Sequence, residues 1–200
     1  MTAWSWGYRD FVSSLLDQPV RGFLDQLAAR TPTPGGGGAA AVTGAMAAGL
    51  VAMAARFSAR QLPEAGDLAD RADTLRHMAA QLADMDARAY TAVLEALRLP
   101  REAGQRREAL LGAALVPLEI AEIGAEVAQL AARVAEAGNP NLRGDAATAA
   151  ILAAASARSA ACLVDINVDL GELDPELSRR AAQAVADACA AADRVSGGGG

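Results

Sequence analysis

There is no lysine in this chain of 200 residues: all eighteen basic residues are arginine. Schiff-base chemistry and a lysine general base are thereby excluded, while bidentate recognition of carboxylates stays open. Histidine occurs once, at His77, and cysteine twice, at Cys162 and Cys189. These match no metal-ligand spacing and no Ser-His-carboxylate assembly, so neither a zinc centre nor a disulfide framework is expected. The cysteines read as small apolar residues buried in helices, and His77, off the apolar stripe of its segment, as exposed. Aromatic residues make up only 4% of the chain, and no segment alternates with strand period. A formal net charge of −6 argues against a general nucleic-acid surface, which needs clustered cations. Residues 1–10 hold two Trp, a Tyr and charges in place of a secretory signal pattern, so the cytoplasm is the expected compartment.

What the chain has in quantity is alanine, within a hydrophobic fraction of 52%. Alanine favours helix and packs helices closely. The expected fold class is all-α: a single-domain array of long antiparallel helices with Ala/Gly-rich close packing over residues 1–195, then a flexible Gly-rich tail at 196–200. Helices are expected at 1–18, at 20–29 with Phe23, Leu24 and Leu27 on one side, and at 37–60. A third strong helix over 64–100 carries the stripe Leu68, Leu75, Met78, Leu82, Met85, Val93 and Leu97. The apolar spacing from Leu110 to Val134 is broken only by Pro117, which should kink its helix or mark a close approach. After a polar loop at 138–145, helices are expected at 146–170 and 175–195. Residues 31–55 carry no charge and are long enough for a membrane span. Ala, Gly and Thr dominate them, however, so a buried helix of a soluble protein is expected instead, and no membrane partner. Its small face, Ala40, Gly44 and Ala48 with Ala41, Ala45 and Gly49 beside them, allows close axes.

The run Thr31-Pro32-Thr33-Pro34-Gly35-Gly36-Gly37-Gly38 opens that helix. The first N–H groups of a helix lack partners and carry partial positive charge, so such a junction receives an anion or polar ligand, or is a packing device. It lacks the Lys-Ser/Thr of a phosphate loop and has no strand before it, which makes nucleotide binding a poor reading. Asp86 and Tyr90 stand four apart on one helical face, placing a carboxylate and a phenol in one cleft or, alternatively, a solvated flank beside a packing residue. Asn139, Asn141, Arg143 and Asp145 are the densest set of hydrogen-bonding side chains. They serve as turn and cap residues, as ligand contacts, or as both. Asn167 lies among apolar neighbours and therefore needs a hydrogen-bond partner.

Taken in order, these motifs resemble the cyclodeaminase/cyclohydrolase family, which includes the cyclodeaminase part of formiminotransferase-cyclodeaminase and stand-alone methenyltetrahydrofolate cyclohydrolases. The resemblance is carried by Phe23-Leu24-Asp25-Gln26-Leu27, Pro32-Thr33-Pro34-Gly35-Gly36-Gly37, Asp86-Ala87-Arg88-Ala89-Tyr90, Leu97-Arg98-Leu99-Pro100, Val116-Pro117-Leu118-Glu119, Gly138-Asn139-Pro140-Asn141, Asp145 and Ile166-Asn167, across about residues 20–170. The family commonly has Ser where this chain has Gly38, and Asn where it has Leu163. The resemblance implies a dimerising all-α array with a folate site at the glycine junction. It implies Asp86 as acid–base or cation-stabilising carboxylate assisted by Tyr90 or a water. Pro34, Gly35, Gly36, Gly37, Asn139, Asn141, Arg143, Asp145 and Asn167 would bind substrate, with Arg56, Arg60 or Arg143 on the glutamate carboxylates. No cofactor beyond the tetrahydrofolate (poly)glutamate substrate is implied, and no metal. The expected activity is methenyltetrahydrofolate cyclohydrolase, towards which the stand-alone length tilts. The alternatives are formimidoyltetrahydrofolate cyclodeaminase and a non-catalytic folate-binding or helical interaction protein.

Overall fold

A computed structural model describes residues 14–100 and 104–197. Helix forms wherever alanine dominates and ends near proline. The order is α1 (Val20–Ala28), α2 (Gly36–Arg56), α3 (Ala65–Ala96), α4 (Gly104–Ala137), a single 3-10 turn at Pro140–Leu142, α5 (Arg143–Gly171) and α6 (Glu176–Ser196). Seven of the eight prolines lie between helices, where their missing N–H leaves no gap in a ladder; Pro117 alone lies inside one. Among the described residues there is no strand.

The helices run antiparallel through the middle of the fold. Gly38 at the start of α2 meets Asp86 late in α3, while Arg56 at its end pairs with Asp73 early in α3. On α4 and α5, Ala113 meets Asn167 and Gly124 faces Ala153. In contrast, α4 and α6 run parallel, tied by Arg180 to Glu122 and by Arg194 to Glu136. The core between them is largely alanine, punctuated by buried Val51, Leu75, Leu82, Val127 and Val164. Small side chains bring the axes close. A Cβ on Gly124 would stand 2.9 Å from the Ala153 carbonyl oxygen, and one on Gly44 would stand 3.0 Å from Ser156 Oγ. That hydroxyl donates to the Ala40 carbonyl at 2.7 Å, which satisfies a buried polar group at the α2–α5 crossing.

Several expected boundaries move, for local reasons. Residues 14–18 form turns rather than helix; Leu15 N–H donates to Asp84 Oδ1 at 2.8 Å, and Pro19 opens α1. The rest of the helix expected at 1–18 lies outside the described residues, as does most of the 196–200 tail. α2 stops at Arg56, short of residue 60, because Ser58 turns back: its hydroxyl donates to the Ala54 carbonyl and accepts from Asn139 N–H at 2.8 Å. α5 starts at Arg143 because the 3-10 turn runs straight into it. Pro117 leaves α4 unbroken. His77 is exposed, with Nδ1 2.7 Å from the Asp73 carbonyl. Burial of the cysteines is overturned: Cys162 is exposed on the outward face of α5 with Ile151, and Cys189 is only half-buried. Two helical stretches, Gly36–Arg56 and Pro140–Gly171, have the length and composition of membrane spans, and about half of each is buried inside the fold.

Candidate active site

A cavity of about 440 Å³ opens where the glycine loop, α3 and α5 converge. Residues 32–37 of the loop, without Pro34, form one wall, and Asp86, Tyr90, Val93, Leu94 and Leu97 of α3 form a second. Leu163, Ile166, Asn167 and Leu170 of α5 form a third, and Ala113 of α4 contributes at the base. The α3 and α5 residues follow helical spacing, so each helix presents one face. Among the described residues, Asp86 is the only ionisable carboxylate on these walls, and no arginine or histidine lines them.

Asp86 reaches across from α3 to cap α2, accepting a hydrogen bond from Gly38 N–H at 3.1 Å through Oδ2. The approach depends on Gly37 lacking a side chain, since a Cβ there would lie 1.9 Å from Oδ1 and 2.3 Å from Cγ. Burial of the carboxyl pushes its pKa above the ordinary value, and the Gly38 N–H only partly opposes this. Desolvation thus outweighs the helix N-terminus, and the group is set to exchange protons at higher pH than a solvated aspartate. The N–H groups of Gly36 and Gly37 are taken by no acceptor among the described residues, as befits the first turn of a helix. Gly38 itself has room: a Cβ there would find Pro34 at 3.5 Å, ordinary van der Waals contact.

Asn167 is oriented by a second device. Proline at 117 has no N–H for the carbonyl four residues earlier, so the Ala113 oxygen is left open inside α4. Asn167 Nδ2 donates to that oxygen at 3.0 Å and to the Leu163 carbonyl at 2.8 Å. Both amide hydrogens are engaged with acceptors, which fixes the flip and leaves Oδ1 as the unengaged end, an acceptor only.

The structure therefore brings together Gly35, Gly36, Gly37, Asp86, Tyr90 and Asn167 of the residues singled out in the sequence. Pro34 is buried behind the loop, against Gly38. Asn139, Asn141, Arg143 and Asp145 line no part of this cavity. Asn139 is bound to Ser58 and to the Phe57 carbonyl beyond the far end of α2, and Oδ1 accepts from Asn141 N–H at 3.0 Å, so both asparagines belong to the turn. A helix the length of α2 puts about 30 Å between that turn and Gly35. Asp145 lies in the first turn of α5 without capping it through its side chain. Arg56 is engaged by Asp73, and Arg60 lies past the same far end of α2. Missed by sequence reasoning were Thr33, Leu94 and Leu170, for the last two of which the helical spacing 86, 90, 94, 97 and 163, 166, 167, 170 was the signal; Leu163, singled out in the sequence as a departure from the family pattern, does line the cavity.

The model for the family described as formiminotransferase-cyclodeaminase matches residues 19–199. The chain belongs to that family. It is 37% identical to the methenyltetrahydrofolate cyclohydrolase of Methylorubrum extorquens, over 76% of this chain and 79% of that protein. It is 34% identical to the formimidoyltransferase-cyclodeaminase of Mus musculus over 68% of this chain, a match spanning 28% of the mouse protein. The crystal structure of formiminotetrahydrofolate cyclodeaminase from Thermotoga maritima superposes with a TM-score of 0.81 at 29% identity, covering 90% of this chain and 95% of that one. The family match reaches beyond residue 170, where the motifs noticed in the sequence ended, and takes in α6 as well.

Proposed function

We propose that this chain is a folate-dependent one-carbon enzyme that hydrolyses the methenyl bridge of 5,10-methenyltetrahydrofolate to 10-formyltetrahydrofolate. The carrying observation is a partly buried carboxylate of raised pKa in a cavity with no basic side chain among the described residues, in a chain 37% identical to a methenyltetrahydrofolate cyclohydrolase. The bridge is a cationic amidinium, and such a cavity suits a cation. Water adds to the bridge carbon and gives a proton to the Asp86 carboxylate, forming a neutral tetrahedral aminal. Asp86 returns the proton to N5 as the carbon–N5 bond breaks. The hydroxyl then loses its proton to solvent as the formyl carbonyl forms, so one water is consumed and one proton released. Asn167 Oδ1 and the free N–H groups of Gly36 and Gly37 orient the pterin, and Tyr90 or a water assists the relay.

The cyclodeaminase relatives favour a second reading of the same site. There N10 closes on the formimino carbon of a 5-formimino substrate, and ammonia leaves from a similar aminal. Loss of methenyl absorbance above the spontaneous background tests the first reaction, and ammonia release from the formimino compound tests the second. Turnover of the methenyl compound no faster than background would remove the cyclohydrolase. The proposal extends to a homodimer in the cytoplasm, supported by the outward apolar residues Met46 of α2 and Ile151 of α5.

A further inference from the structure

Beside the cavity just described lies a second one of about 350 Å³, lined by Arg106, Arg107 and Leu110 of α4 and by Asp169, Leu170, Gly171 and Glu172 at the end of α5. Leu170 belongs to the walls of both cavities. Along α4, Arg106 stands seven residues before Ala113, the residue that anchors Asn167, which is about 10 Å at the rise of a helix. Passing outward from the glycine loop, the order is therefore Asp86, then Asn167 with Tyr90, then the apolar Leu97 and Leu170, then the two arginines. Seven other arginines form ion pairs with acidic side chains; Arg106 and Arg107 enter none among the described residues.

This charge order runs negative, apolar, positive. A bridged folate carries the complementary order: a cationic amidinium, an aromatic ring, and a glutamate with two carboxylates. We infer that Arg106 and Arg107 form the anion-binding end of the site and hold the glutamate carboxylates of the folate through charge-assisted pairs. This rests on the folate reading above and replaces Arg56, Arg60 and Arg143 in that role. Asp169 and Glu172 stand on the opposing wall and repel the same carboxylates, so they set the sign of a control.

The test compares methenyltetrahydrofolate with methenyltetrahydropteroate, which lacks the glutamate, on the whole protein. With R106A/R107A, KM for the glutamate-bearing substrate rises about tenfold or more, kcat holds, and KM for the pteroate compound does not move. With D169N/E172Q, KM for the glutamate form falls. An unchanged KM in R106A/R107A overturns the inference, as does an equal rise for both compounds or a fall in thermal midpoint alone, the mark of arginines that only complement the carboxyl end of α5. Absence of wild-type turnover removes the reaction, and binding of p-aminobenzoylglutamate against p-aminobenzoate then decides the subsite. Preference for the glutamate compound, lost in R106A/R107A, upholds the anion site, and equal affinity overturns it.

Discussion

The contact between Asp86 and the glycine loop concentrates the chemistry at single atoms, and its two halves respond differently to substitution. Gly37→Ala forces a methyl group into the Asp86 carboxylate, whereas a Cβ at Gly38 meets only ordinary contacts. Gly37→Ala is expected to destabilise by about 1–3 kcal/mol and to abolish turnover, while Gly38→Ser stays within about 1 kcal/mol of wild type in urea unfolding. Asp86 also sets a pH signature. Its pKa is raised in the folded state, so its contribution to stability is full below the ordinary carboxylate pKa and lost as pH rises through the folded value. Burial of the carboxylate is therefore destabilising above the ordinary carboxylate pKa, and at pH 7 Asp86→Asn melts at an equal or higher temperature than wild type. The difference closes when the scan is repeated below about pH 3.9. A melting temperature lowered at pH 7 would contradict the burial argument. The spacing of Asp86 and Tyr90 was legible in the sequence because a helix face is periodic. The need for glycine at 37 was not, because it depends on how closely α3 approaches.

At the level of helices, Pro117 and Asn167 act as a pair separated by 50 positions. The proline frees the Ala113 carbonyl and the asparagine takes it, so a sequence feature that suggested a kink instead positions a side chain of the site. Pro117→Ala supplies an N–H that competes with Asn167 for that oxygen. KM for the methenyl substrate is then expected to rise about threefold to tenfold, in the range of one neutral hydrogen bond. Asn167→Ala should reproduce the rise, and the double variant should add little to either single one, the non-additivity of residues acting through one bond. Additive effects in that cycle would separate the two. The sequence showed both motifs but no link between them, since the link is a backbone carbonyl. Helix length decided the fate of the Asn139 loop. A polar loop next to a family motif reads as part of the site, yet 21 residues of α2 hold it at the opposite pole, tied to Ser58.

Across the whole molecule, composition carries the fold: with alanine abundant and aromatics at 4%, close-packed helices are the one core these side chains can make. The outward faces of α2 and α5, with Met46, Ile151 and Cys162, fall outside that logic, and the expectation of buried cysteines failed on one of them. If these faces meet a second copy, light scattering gives twice the mass of 20.3 kDa, and Ile151→Glu gives a monomer that remains helical. A wild-type monomer at micromolar concentration contradicts the homodimer. The enzyme itself stands or falls on Asp86. The decisive measurement is the rate of methenyltetrahydrofolate hydrolysis, above the buffer background, by wild type and Asp86→Asn. Wild type should exceed the background, and Asp86→Asn, with unchanged helical circular dichroism, should lose about 100-fold or more in kcat. An Asp86→Asn protein that hydrolyses the bridge at the wild-type rate would contradict the assignment.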